Sequence, residues 1–200
     1  MKELEIEFKN LLTGDEYGRL DQAFFQNAEP VIQTNFYIDT PDLDLKHNRL
    51  LLRIRAVGGN QVMTLKEPTD KGVMEYHGEV DNDLSFDQNI RRDELPAIIC
   101  NELERFNIDT TQLRIYGALS TKRREVPYKD GLLVLDKNNY LDTEDLELEY
   151  EVSNRDKGET IFQDLLKEYD IEQREEITKV ERFYNKLTEI RTGDNYANTL

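Results

Sequence analysis

Two hydrophobic periods alternate along this chain. Residues 4–9 read Leu-Glu-Ile-Glu-Phe-Lys, which at the two-residue period of a strand puts Leu4, Ile6 and Phe8 on one face and Glu5, Glu7 and Lys9 on the other. The same division returns further on. Residues 50–57 and 61–66, joined by Gly58-Gly59-Asn60, predict a hairpin whose first arm sets Leu52 and Ile54 against Arg53 and Arg55. In its second arm Met63 and Leu65 oppose Val62, Thr64 and Lys66. Residues 73–80 place Glu75, His77 and Glu79 opposite Met74 and Tyr76. A long strand over 113–126 carries Thr121, Arg123 and Glu125 on one face; Lys122 and Arg124 should point outward to solvent. After the turn Lys129-Asp130-Gly131, residues 132–136 return, and 145–152 again separate Glu147, Glu149 and Glu151 from Leu146, Leu148 and Tyr150. Residues 32–39, rich in β-branched and aromatic side chains, complete the strands.

Between them the period lengthens to that of a helix. Thr13-Gly14-Asp15-Glu16 is a capping box opening a helix to about residue 27, with Tyr17, Leu20, Phe24 and Phe25 as its apolar stripe. A second helix is expected over 93–106, with Pro96 in its first turn, and a third from a cap at Ser153 or Asn154 to about residue 169. The segment around 177–184 reads as a short extended stretch followed by a helix. One domain over residues 1–190 and a polar, mobile tail over 191–200 are expected.

Composition narrows the function. Charged residues make up 34% of the 200, above the usual quarter, and the net charge is −16. So acidic an outer surface disfavours nucleic acid, whose binding needs Lys and Arg against phosphates. Cys100 is the only cysteine, which rules out an intramolecular disulfide or a zinc–thiolate cluster. No apolar run approaches the roughly 18 residues of a membrane span, and no signal peptide precedes the first strand, so a cytoplasmic location is expected. No Gly-x-x-x-x-Gly-Lys-Ser/Thr loop is present.

About eight strands suffice to close a small barrel. Because the helices each offer an apolar stripe, the economical arrangement is inverted: apolar strand faces outward beneath the helices, charged faces inward. Charges in a dry lumen are costly unless paired, but a wet lumen holding a ligand tolerates them. The bases Lys9, Arg53, Arg55, Lys66 and Arg123 suit a polyanion, and the acids Glu5, Glu7, Glu75, Asp136, Glu147 and Glu149 suit hard divalent cations. The patterning alone equally describes a sheet with one solvated face and cross-strand ion pairs. His77 is read as a partly exposed strand histidine, with metal binding as the alternative.

Glu5-Ile6-Glu7-Phe8-Lys9 resembles the Glu-x-Glu-x-Lys signature of the CYTH superfamily, the triphosphate tunnel metalloenzymes. Leu52-Arg53-Ile54-Arg55, Thr64-Leu65-Lys66, Thr121-Lys122-Arg123 and Glu147-Leu148-Glu149 follow in the family's order, so the likeness covers roughly residues 1–184. The resemblance implies an α+β fold: an eight-stranded antiparallel closed barrel with a charged lumen and helices outside. It implies that Lys9, Arg53, Arg55, Lys66, Arg123 and Lys179 hold phosphates, and that Glu5, Glu7, Glu147 and Glu149 hold Mg²⁺ or Mn²⁺. Glu75 and Asp136 would be further acidic wall residues. Lys9 and Glu7 are the candidates for orienting the attacking water. The implied activity is metal-dependent hydrolysis of a small-molecule triphosphate, inorganic triphosphate first. Thiamine triphosphatase, adenylate cyclase and a non-catalytic nucleotide or polyphosphate binder are the alternatives. No nucleic-acid or membrane partner is expected, and the oligomeric state is left open.

Overall fold

The computed structural model describes residues 1–80 and 89–197, with side chains to residue 190. Nine strands form a single antiparallel sheet. In chain order they are β1 (Lys2–Glu5), β2 (Glu7–Leu12), β3 (Val31–Asp39), β4 (Leu51–Val57), β5 (Asn60–Thr69), β6 (Gly72–Glu79), β7 (Arg114–Tyr128), β8 (Gly131–Tyr140) and β9 (Thr143–Val152). The spatial order is β1-β6-β5-β4-β3-β7-β8-β9-β2.

The two edges of this sheet are consecutive in sequence, with only Ile6 between them. β1 pairs with β6 and β2 with β9, so one chain bridges both ends and the sheet must curl until they meet. The eight expected strands become nine because the first is broken at Ile6, whose carbonyl accepts from Val152 N–H at 2.9 Å. Closure therefore runs through the covalent chain at this seam, and the barrel is a curled sheet rather than an unbroken ladder.

The outer faces are apolar, as the alternation requires. α1 (Gly14–Leu20), extended by a π-helical turn over Asp21–Phe25, and α4 (Arg155–Glu168) cover β8, β9 and β2. There Leu20, Phe25, Leu133, Leu135, Leu148, Tyr150 and Phe162 are buried together. Phe162 stacks on Phe8 with ring centroids 5.9 Å apart. Gly158 permits this approach, since a Cβ there would lie 2.6 Å from Val152 and 2.9 Å from Phe8. A second core packs α2 (Asp44–His47) and α3 (Ala97–Arg105) against Leu52, Ile54, Met63 and Leu65. Pro96 is the residue before α3 rather than part of its first turn. Among the described residues no helix is long and apolar enough to cross a membrane.

α5 (Lys179–Ala197) carries helical backbone into the stretch expected to be a tail; residues 198–200 lie outside the described residues. The segment leading to it is pinned to β2 and α1. Asn10 donates to the Glu172 carbonyl and accepts from Arg174 N–H, at 2.9 and 2.8 Å. The Glu16 carboxylate accepts from Glu172 N–H, from Thr13 N–H within the capping box, and from the Arg174 guanidinium at 2.8 Å.

Burial would raise the Glu16 carboxyl, but the Arg174 guanidinium and the backbone N–H donors prevail and hold it down at about 2, against an ordinary 4.5. A carboxyl depressed on folding stabilises above its unfolded value and loses that stabilisation as pH falls through its folded one. Glu16→Gln should therefore cost roughly 2–3 kcal/mol in urea unfolding at pH 7. That difference from the parent should shrink between pH 4.5 and 2; a gap constant over this window would show that the ionised carboxylate is not the source.

Candidate active site

The rows of side chains opposite the helices point into the tunnel, and they are charged. Asp136 is 0% exposed and Glu147 1%, while Glu149, Glu75, Arg53 and Arg123 are also buried. Ions this deep are costly unless partnered. Strand register supplies most partners: Lys9 lies opposite Glu149, Arg123 opposite Asp136, Asp136 opposite Glu147, and Lys66 opposite Glu75.

One side of the lumen is an acid–base lattice around Asp136, Glu147 and Glu149. Arg123 forks onto Asp136 at 2.9 and 2.7 Å and reaches Glu149 at 2.5 Å. Lys179, the first residue of α5, enters from outside the sheet to meet Asp136 at 2.8 Å, Glu147 at 2.5 Å and Glu149. Burial opposes charge on Lys179, but these three carboxylates hold its ammonium well above the ordinary lysine range. Burial likewise opposes charge on Glu149, yet Lys179, Arg123 and Lys9 keep its carboxyl far below the usual range.

The other side centres on Glu5, Lys66 and Glu75. Lys66 Nζ lies 2.6 Å from Glu5 and also contacts Glu75. Lys9 pairs with Glu7 beside it. Desolvation pulls the Lys9 ammonium down, but Glu7, Glu149 and Glu147 outweigh it and keep the group protonated.

Arg53 and Arg55 differ from every other base in the lumen. Among the described residues neither has a carboxylate within 4.0 Å. Arg55 Nε donates to Asn35 Oδ1 at 3.0 Å, and its guanidinium is brought down to about 9 by burial and by the charges of Arg53 and Arg123. Arg53 Nε and Asn35 Nδ2 are buried without a hydrogen-bond partner. Buried donors left unsatisfied carry a cost that an anion placed among them would remove.

Past Arg53 the inner face turns apolar. Tyr37, Leu119 and Tyr140 on the inner sheet face bury Phe183 and Tyr184 of α5. Gly117 gives Phe183 its space: a Cβ there would stand 2.6 Å from the ring.

All the site residues expected from sequence lie on the inner face or enter it from α5. The four metal-ligand candidates fall into two groups, Glu5 and Glu7 with Glu151, and Glu147 and Glu149 with Asp136. In each group one carboxylate oxygen per residue lies within 4.8 Å of the others. Lys9 stands between the groups. Arg182, absent from the expected set, is buried against Asp145 at 2.8 Å and Glu147 at 3.0 Å. Its only sequence signal was the three-residue spacing from Lys179, which puts both on one helix face. Arg124 does not reach solvent as expected; it tucks beneath α1 against Asp21 and donates to Tyr17 Oη at 3.2 Å.

The CYTH domain model matches residues 3–184. The Bacillus subtilis (strain 168) protein named "Putative triphosphatase YjbK" is 37% identical over 186 residues, covering 92% of this chain and 96% of that protein. The crystal structure of an adenylate cyclase candidate from Bacillus halodurans is 31% identical, with a TM-score of 0.79 over 92% of this chain and 98% of that one. A Hippeastrum protein, HpAC1, titled an adenylyl cyclase candidate with a dominant triphosphatase activity, shares the fold at 21% identity and a TM-score of 0.77, covering 92% and 96%. With a family model spanning nearly the whole chain, the protein belongs to the CYTH domain family.

Proposed function

We propose that this protein hydrolyses a triphosphate inside the curled sheet, with inorganic triphosphate as the preferred substrate and Mg²⁺ or Mn²⁺ as the required ion. The observation that carries the reading is Arg53 and Arg55: one buried and one half-buried guanidinium that, among the described residues, have no carboxylate within 4.0 Å, in a lumen where the other bases have one. Such an arrangement suits an external anion, and planar guanidinium forks match phosphate oxygens. The names of YjbK and HpAC1 support the same reaction class. Residues 1–190 act as one domain in this reading.

Both carboxylate groups fit a hard divalent cation, since every donor is oxygen. A bound cation would supply Lewis-acid polarisation of the phosphoryl oxygens. The chain does the rest. Arg53 and Arg55 receive the phosphate oxygens, joined by Lys66, Arg123 and Lys179, whose present carboxylate partners the substrate displaces. Glu5, Glu7, Glu147 and Glu149 would then be free to hold the ion, with Glu75 and Asp136 keeping the wall acidic. Lys9, protonated, donates to the terminal phosphoryl group, and Glu7 takes the proton of the attacking water. The water oxygen bonds to the terminal phosphorus, the bridging P–O bond breaks, and the leaving oxygen departs on diphosphate.

Phosphate release from inorganic triphosphate, ATP and thiamine triphosphate, each with Mg²⁺, Mn²⁺ or EDTA, tests this directly. Turnover of inorganic triphosphate that EDTA abolishes is expected; silence across the panel would leave only a binder. Arg53→Ala should raise KM about 10–100-fold, the loss of a charged hydrogen bond or two. Its melting temperature should hold or rise, because a buried unpaired cation is removed; a matching fall in stability would mark Arg53 as structural. For Glu7→Gln the Mg²⁺ or Mn²⁺ concentration giving half-maximal rate should increase at least about tenfold. An unchanged metal titration would remove Glu7 from the site.

A further inference from the structure

At the β1–β6 edge a third group of donors converges, and it contains a nitrogen. Glu75 and His77 lie two residues apart on the inner face of β6, and register sets Glu3 of β1 opposite Glu75. His77 Nε2 is 3.1 Å from Glu3 Oε1 and 3.2 Å from Glu75 Oε2. The three groups each offer one atom within 4.8 Å of the others. Glu75 Oε1 is engaged separately by Lys66, which leaves Oε2 to face His77.

The imidazole is fixed from behind. Thr64, opposite His77 in the β5–β6 register, has its Oγ1 3.0 Å from Nδ1. A hydroxyl can accept an Nδ1–H, and that tautomer leaves the Nε2 lone pair directed at the two carboxylates. Ligand bonds of about 2.0–2.2 Å place neighbouring donors about 2.8–3.6 Å apart in octahedral or tetrahedral arrangements. The two measured nitrogen–oxygen separations fall in that range. Glu3 is 58% exposed, so a bound ion would retain open positions toward water.

We propose that Glu3, Glu75 and His77 form a binding site for a late first-row divalent cation of the Zn²⁺ and Co²⁺ class, separate from the all-carboxylate groups deeper in the tunnel. Imidazole nitrogen distinguishes it: mixed nitrogen and oxygen donors favour Zn²⁺, Co²⁺ or Ni²⁺ over Mg²⁺. Glu3 and His77 belong to neither the phosphate wall nor the tunnel carboxylate groups, and Glu75 is the one member shared with the acidic wall, so Co²⁺ binding here can be read without triphosphate turnover. An ion held here would tie β1 to β6 beside the seam at Ile6. The competing arrangement is a protonated His77 paired to two carboxylates with no affinity for metal.

Co²⁺ titration of the untagged full-length protein in excess Mg²⁺, followed by visible d–d absorption, separates the two. One saturable Co²⁺ is expected, displaced by Zn²⁺, and retained in Glu7→Gln. His77→Gln and Glu3→Gln should each weaken it at least tenfold, and Thr64→Val about 10–100-fold through loss of the orienting hydroxyl. Glu3 is exposed, so its variant should fold even if His77→Gln does not. Absence of saturable Co²⁺ binding, or binding that Glu3→Gln and His77→Gln leave unchanged while Glu7→Gln abolishes it, would overturn the proposal.

Discussion

Everything in this molecule depends on keeping a dense set of opposite charges inside a curled sheet. A carboxylate or ammonium removed from water costs several kcal/mol, and it is tolerated only when opposite charges and hydrogen bonds surround it. The strands meet that demand by alternation: each carries its charges on one face, and register sets Arg123 against Asp136, Lys66 against Glu75 and Lys9 against Glu149. The helices then serve the opposite faces. Fold and lumen chemistry are thus one constraint seen from two sides, because slipping a strand by one residue would bury its charges beneath the helices.

The lattice is not self-contained, and its last members come from outside the sheet. Lys179 and Arg182 reach the acids of β8 and β9 from the first turn of α5, which is held by Phe183 inside the apolar end of the lumen. The approach to α5 is fixed in turn by Asn10, Glu16 and Arg174 on the outer surface. Outer packing, the apolar cluster around Phe183 and the inner ion pairs are therefore mechanically continuous. Loosening the Glu16–Arg174 pair should be felt at Lys179, although Glu16 takes no part in the lumen.

Much of this was legible from the two-residue period alone. Arg53 and Arg55 opposite Leu52 and Ile54, or Glu147 and Glu149 opposite Leu146 and Leu148, are unambiguous as faces. Which face turns inward was not, since a solvated sheet shows the same alternation; the ordered motifs of the family resolved it. The second half of β8 escaped notice because Lys137, Asn138 and Asn139 lack alternation, and pairing with β7 and β9 holds them extended. Arg182 escaped because its signal is helical spacing from one lysine in a segment read as partly extended. Arg124 misled because its charge suggests water, whereas its stem lies under Tyr17 and its head meets Asp21. His77 drew little weight because its partner Glu3 is remote in sequence and visible only in the register.

The pairing in the lumen is uneven, and the unevenness has direction. Carboxylates crowd around Lys179, Arg123 and Lys66, while Arg53 and Arg55 stand side by side on one face of β4 with no carboxylate within 4.0 Å among the described residues, Arg55 donating to Asn35. The lattice therefore has an anion-deficient region next to an acid-rich one. In the proposed reaction an incoming polyanion would relieve the first by satisfying the guanidiniums, and by drawing Lys66 and Lys179 toward itself would leave the second short of cations. The acids must then be compensated by something else positive. A divalent ion would meet that need where a sodium ion would not, because a compact double charge could replace a displaced ammonium and also supply Lewis-acid polarisation. On this reading anion and metal would each be poor ligands alone and favourable ones together, a coupling that follows from which of these buried ions lack partners.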